Sequence, residues 1–503
     1  MLMKYLFLLL ALPFCLHPLF AQKEDYTWVM GYPNDPPDLY YPYIGGTMIN
    51  FKNGRPDTTR FFTLAGMSQS ASISDKDGNL LFYSNGCEVF NNIHQIMPNG
   101  NKLNDGDGYH YGCVAPILGY TDAQGIVALP WPKHPGIYKV FHIRFDEPGL
   151  PSATLLETTV DMRMDNGLGD VTEKNQSIHE ESYLNRIAAV RHGNGTDWWL
   201  ALPKNRSREI LVFLFDSSGV HPPVRQDVSV VPNKGGWGQM NFSPDGSRLV
   251  DIMFDQGQLF DFDRCSGRLF NARLIQFDTL DNISAGATFS PNSRYLYVCR
   301  EDSLYQYDLG ASDFNSTRLT VGAYDHFYDT LRSSSTFFYQ MLPAPDGKIY
   351  MTVPDGSCYM HIIHRPDERG TACDFENHGL LMPTFHAFAV PNLPNFRLGA
   401  ADPPCGTHGG CLYQDGSAQT DRVKLFPNPA TWYVDVAVPP GTDLPLDFQV
   451  YDALGRLLLE ATIDCSLHRV ELGDWPEAGY FYRLSDANGR RVAAGTLVKV
   501  DGR

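Results

Sequence analysis

The residues that could do chemistry in this chain come as fragments of catalytic patterns. His179-Glu180-Glu181 starts like a helix-borne zinc-protease site. That site needs a second histidine one helical turn on, so that both imidazoles reach one metal. Tyr183 stands there instead. Gly66-Met67-Ser68-Gln69-Ser70 resembles a nucleophile elbow without its closing glycine. No glycine-rich loop ends in Lys-Ser or Lys-Thr to cradle a phosphate. The turns also lack the Ser-x-Asp-x-Gly-x-x-Trp box of sialidases. No catalytic set emerges, and the reading leans away from an enzyme.

Two acidic stretches bring oxygen donors together: Asn104-Asp105-Gly106-Asp107-Gly108, and the longer run from Asp161 to Asp170. Calcium takes several hard oxygens from one loop. Neither stretch has the glutamate that completes an EF-hand, so solvated turns are the plainer reading. Calcium is the sharper one, and no other cofactor is implied. Trp198, Trp199 and Trp237 offer rings for stacking on a sugar, with blade packing as the plainer reading. Alternation along Asp197–Leu202 would let one of the paired tryptophans pack while the other faces away. His361 and His364 lie three apart in a strand-like stretch, hence on opposite faces, and read as structural or exposed.

These residues need elements to position them, and the chain reads as all-β. Aromatics reach 13%, between 45 Gly and 35 Pro, a composition of short strands and tight turns. No long stretch carries the stripe of an amphipathic helix. One phrase repeats: Phe242-Ser243-Pro244-Asp245-Gly246, Phe289-Ser290-Pro291-Asn292, and Leu342-Pro343-Ala344-Pro345-Asp346-Gly347, each leading into a β-rich run. An earlier relative is Ile73-Ser74-Asp75-Lys76-Asp77-Gly78. Proline presets the first corner, Asp or Asn bonds its own backbone, and Gly or Asn accepts positive φ. Each phrase is therefore a hairpin. The proline phrases recur about every 50 residues, the length of a four-stranded propeller blade. Residues 22–400 would then hold roughly seven blades. Strand patterns at Ile137–Ile143, Leu211–Asp216, Gln258–Asp263 and Leu304–Leu309 fit further blade strands.

Residues 401–421 are polar and read as a linker. Beyond it, residues 422–503 carry seven short alternating runs, from Val423–Phe426 to Ala494–Val500, a β-sandwich pattern. At the other end, Lys4, an apolar run and Leu19-Phe20-Ala21 form a secretory leader. Cleavage is expected between Ala21 and Gln22, with no membrane-spanning segment afterwards. The net charge of −17 with scattered basic residues argues against nucleic acid. Of ten cysteines, Cys15 lies in the leader. The odd remainder leaves at least one thiol without an intramolecular partner. Cys405 with Cys411, and Cys358 with Cys373, are close enough in sequence to pair.

The terminal segment resembles the type A sorting domain of the Bacteroidetes type IX secretion system. The matching residues are Phe426-Pro427-Asn428-Pro429-Ala430, Val450 to Arg456 with Gly455, Leu472 to Phe481 with Gly479, and Leu497-Val498-Lys499-Val500. The resemblance implies the type IX secretion machinery as partner and delivery through the periplasm to the medium or the outer cell surface. The middle resembles propeller-like proteins of the same bacteria, through Asp77 to Gly86, His94 to Gly100, Asp197-Trp198-Trp199 and Pro394-Asn395-Phe396. It implies fold and location without a ligand. The resulting expectation is a secreted or surface binding protein presenting loops to a glycan or protein. The alternatives are a secreted polysaccharide hydrolase or lyase, and a structural surface component.

Overall fold

The computed structural model describes residues 22–32, 43–63, 66–114, 119–120, 124–145, 152–184, 186–230, 238–253, 256–276, 285–331, 334–354, 356–386, 388–401, 405, 411–413, 422–431, 433–439, 441–463, 467–472 and 475–500. The leader, including Ala21, lies outside them, and Gln22 opens them.

Each repeated phrase folds as a hairpin. In the Ser243–Arg248 turn, Asp245 accepts from the Ser247 amide at 2.9 Å and from the Ser243 hydroxyl at 2.6 Å. Gly246 takes φ 72°, a left-handed conformation that a side chain would strain. The earlier relative is built alike, with Asp75 accepting from the amides of Asp77 and Asn79, both at 2.8 Å. These hairpins sit in antiparallel sheets that follow one another along the chain. Their first strands are Thr27–Tyr32, Ala71–Ser74, Ile126–Pro130, Ala188–Arg191, Gln239–Phe242, Ala285–Phe289 and Met341–Pro343. Among the described residues these seven sheets carry three to five strands each. The result is a β-propeller, with the first strands innermost.

Alternate side chains fill the spaces between neighbouring sheets, which is why most blade strands are buried on both faces. Trp198 and Trp199 show it: both are buried, because each face of their strand meets a neighbour. The first and last sheets close the ring through Trp28, Phe51 and Tyr350, with centroids 5.0–5.8 Å apart. Among the described residues no strand is exchanged between those two sheets.

A strap formed by the described residues between 382 and 405 reinforces the closure. From the seventh sheet it runs under the ring, where the Phe385 amide bonds to the Tyr43 carbonyl and the Asn392 amide to Ser70. It ends against the fourth and fifth sheets: Ala401 bonds to Gly193, Arg264 donates to the Gly399 carbonyl, and Cys405 forms a disulfide with Cys265. The expected Cys405–Cys411 pairing is thus replaced by one to a blade turn 140 residues away. Cys358 and Cys373 are both free and buried, so that expected pair is also absent. A second disulfide among the described residues is Cys87–Cys113.

The terminal sandwich has two four-stranded sheets. Its core is Val434, Val436, Phe448, Val450, Leu484 and Leu497 with their neighbours. All seven expected strands are present. Cys411–Tyr413, inside the expected linker, adds an eighth by pairing with Leu467–Glu471. Arg268 of the fifth blade reaches Asp435 of the sandwich at 3.3 Å, and Arg469 holds the same buried carboxylate at 2.7 Å. Among the described residues no helix is long and apolar enough to cross a membrane.

Candidate functional site: the propeller axis

Glutamines near the starts of inner strands tie the axis together. Gln124 makes both amide bonds to the backbone of Met240, at 2.7 and 2.8 Å. Gln239 does the same to Met341, at 2.7 and 3.0 Å, and also accepts from the Ala287 amide. Gln340 donates to the Gly238 carbonyl. Each side chain bridges backbone groups that inner strands would otherwise leave unpaired at the ring centre. The ties separate the axis into two ends.

At the strap end lies a cavity of about 220 Å³. Inner strands of the first, fourth, fifth, sixth and seventh sheets wall it, and Asn392–Arg397 of the strap closes it below. Trp28, Val190, Met240 and Leu342 supply apolar surface, and Asn241, Thr288 and Asn395 supply polar groups. Asp25, buried, meets Arg397 at 2.6 Å. Burial pushes the Asp25 carboxyl up, and Arg397 opposes the shift. The Trp28 indole Nε1 is fully buried and has no hydrogen-bond partner among the described residues.

At the opposite end, Arg186 pairs with Asp251 at 3.0 Å, both almost fully buried. Burial raises the Asp251 carboxyl against the pull of Arg186. Buried Arg300 and Tyr339 complete this end, with the Arg300 guanidinium 3.4 Å from the Met253 carbonyl.

The candidates singled out in the sequence fall elsewhere. His179 shares a hydrogen bond with Tyr183. Glu181 is held by Arg225 at 2.9 Å and Lys204 at 2.7 Å, which together lower its carboxyl to about 2. Ser70 donates to the Val29 carbonyl and so joins two blades. In the first acidic stretch, Asn104 is buried, bonded to His142 at 2.6 Å and to the Gly86 carbonyl. In the second, Asp161 is engaged by Arg163 at 2.7 Å. Among the described residues no group of three or more His, Cys, Asp or Glu is placed to hold a metal ion.

Trp198 carries the Arg191 guanidinium over its ring at 4.0 Å, and Trp199 donates to the Arg264 carbonyl at 2.7 Å. The expectation that one of this pair faces away is corrected by the double-sided burial of their strand. Trp237 lies outside the described residues. His361 is buried against Phe338 and Phe375, whereas His364 pairs with Glu376 at 2.7 Å.

The terminal motif residues do come together. Asn428, between Pro427 and Pro429, donates to the Thr496 carbonyl and accepts from the Val498 amide, both at 2.9 Å. Val498 pairs with Gly479, and Phe481 pairs with both Thr496 and Tyr451. The turn after Tyr451 closes on Asp452, which binds Arg456 at 2.7 Å, with Gly455 at φ 77°. Four segments distant in sequence thus form one continuous surface. Leu454 is 80% exposed on it and Phe481 53%. A Cβ at Gly479 would meet open space, and its φ is not left-handed, so the fold itself makes no demand for glycine there.

No family model matches this chain, and no curated protein matches it. Among solved structures, it is similar to a candidate 6-phosphogluconolactonase of Bacteroides uniformis, at 13% identity and TM-score 0.43, over 74% of this chain and 99% of that one. It is also similar to PorZ, a surface component of the type IX secretion system of Porphyromonas gingivalis, at 11% identity and TM-score 0.30, over 90% and 68% of the two chains. A third is the Dos1 propeller, at 11% and 0.34, over 61% and 70%.

Sequence reasoning missed Asp25, Trp28, Thr288 and Arg397, which come from three places far apart in the chain. A usable signal was the glutamine near the start of several inner strands, at positions 69, 124, 239 and 340.

Proposed function

We propose that the chain is an exported binding protein. Its terminal sandwich is the address read by the type IX secretion machinery, and its propeller holds the ligand. The observation that carries the address is the continuous surface formed by the four motif segments. Leu454 and Phe481 are apolar and solvent-facing there, and Gly479 is unexplained by folding. Exposed large apolar groups on one small domain mark an interaction site. The binding role is supported by the axial cavity. Its described wall offers one carboxylate, Asp25, already occupied by Arg397. Glycoside hydrolysis uses two carboxyl groups flanking the scissile bond, so the geometry favours binding over hydrolysis.

Cell fractionation of a chain lacking residues 422–503 tests the address. The truncated protein is expected to accumulate in the periplasm, while the full chain reaches the surface or medium. Unchanged secretion of the truncation would overturn the assignment.

A further inference from the structure

We infer that the terminal sandwich divides its two outer faces between two partners. The face around Asp435 docks on this chain's own propeller, with Arg268 as the anchor, and the opposite face, around Phe481, stays open to the secretion machinery. The inference rests on the address half of the proposed function. It adds which face is free to be read and what holds the other.

Strand alternation makes the division. Val434 and Val436 point into the sandwich core, so Asp435 between them points out of it. In the other sheet Tyr480 and Leu484 belong to the same core, so Phe481 points out on the far side. These two outward residues differ in exposure: Asp435 is 2% exposed and Phe481 53%.

Asp435 is already satisfied within the sandwich. Arg469, its register neighbour, grips both carboxylate oxygens at 2.7 and 2.8 Å. The Arg469 guanidinium lies 3.3 Å from the centre of the Tyr433 ring. Tyr433, Asp435 and Arg469 thus form a socket, and Arg268 of the fifth blade enters it. Its Nη2 donates to Asp435 Oδ2 at 3.3 Å, beside Tyr433 and Arg469. Among the described residues Arg268 has no carboxylate partner in the propeller. Its charge therefore serves the sandwich rather than the blade, and a guanidinium suits a shared carboxylate at an interface. Three residues earlier, Cys265 holds the strap through Cys405. One short stretch of the fifth blade thus fixes both the start of the sandwich's tether and the sandwich itself. Tethered domains move relative to each other unless an interface holds them, and Arg268 supplies the hold.

X-ray scattering and hydrogen exchange on the full mature chain test the docking. Wild type is expected to scatter as one compact arrangement. Arg268→Glu should lower the ratio of docked to free sandwich by about tenfold, the effect of losing a close charge pair at an interface, and so raise the radius of gyration. Exchange should quicken in Tyr433–Ala437 and Leu467–Glu471, while Ala478–Ser485 keeps its protection. Arg268→Gln keeps the length of the side chain, should act in the same direction, and decides the matter if Arg268→Glu does not fold. Phe481→Glu should leave the scattering as in wild type. Delivery of folded Arg268→Glu to the surface or medium is expected within about twofold of wild type, because the open face is intact. Scattering and exchange unchanged in both Arg268 variants would overturn the docking. Equal loss of protection in both sheets, or retention of folded Arg268→Glu in the periplasm, would overturn the division of faces while leaving the address in place. The address itself fails separately, if the chain lacking residues 422–503 is delivered.

Discussion

The propeller and the terminal sandwich differ in what stands out in each: a buried polar network at the axis of the one, exposed apolar groups around the motif segments of the other. The propeller turns its polar groups inward. Arg186, Asp251, Gln124 and Gln239 are all nearly or fully buried and bonded at the axis. The sandwich turns apolar groups outward, with Leu454, Leu457 and Phe481 all exposed. A ring of blades has a centre where inner strands converge, and their backbone groups must be satisfied there. A two-sheet sandwich has no such centre, so its outer face is free to carry recognition. The two regions meet at Asp435 of the sandwich, which Arg268 of the propeller and Arg469 of the sandwich both reach.

The largest expected effect separates the two regions directly. Asp251→Asn leaves Arg186 buried without its counter-charge in the propeller, and Asp435→Asn does the same to Arg469 in the sandwich. Each is expected to cost about 3–5 kcal/mol. Chemical denaturation followed by region-specific probes should place the first loss in the propeller and the second in the sandwich. If Asp435→Asn destabilised the propeller by as much as the sandwich, the two would be one cooperative unit.

A smaller effect concerns the strap. Opening Cys265–Cys405 by a double serine substitution frees a span of 140 residues, against 26 for Cys87–Cys113. Loop entropy makes the long one worth about 1.5 kcal/mol more. Urea midpoints of the two double variants measure the difference. A larger loss from opening Cys87–Cys113 would mean that strap anchoring contributes little to closure.

The third effect depends on pH. Burial holds His142 and His361 neutral, each pushed down to about 3. In the unfolded chain each takes a proton near pH ~6.5. Their burial therefore carries no penalty above that pH and a growing one below it, until the folded value near 3 is reached. Propeller stability should fall by at most about 1.4 kcal/mol per pH unit for each histidine across this window. His142→Gln should flatten the slope between pH 7 and 5 in urea unfolding, and an unchanged slope would show that His142 does not set it.

The sequence made the hairpins legible because their turn residues act locally: Asp75, Asp245 and Gly246 bond or bend their own neighbours. The sandwich strands were legible for the same reason, through alternation. The cavity was not. Asp25 and Arg397 are 372 residues apart, and nothing in either's local sequence announces the other. The disulfides failed alike, since proximity in sequence favoured Cys405 with Cys411, whereas the strap carries Cys405 back to a blade turn. Blade packing of the tryptophan pair was legible, but the outward-facing member expected of it was not, because a strand inside a propeller buries both faces, unlike a strand on a half-solvated sheet.

The central claim is that the exposed surface of the sandwich is an address. Leu454→Glu and Phe481→Glu alter that surface at positions outside the core, so folding should be retained, and circular dichroism checks it. The decisive measurement is the amount of the folded double variant in the medium and on the surface against the amount in the periplasm. Retention of a folded protein in the periplasm is the expected result. Delivery at the wild-type level would contradict the account.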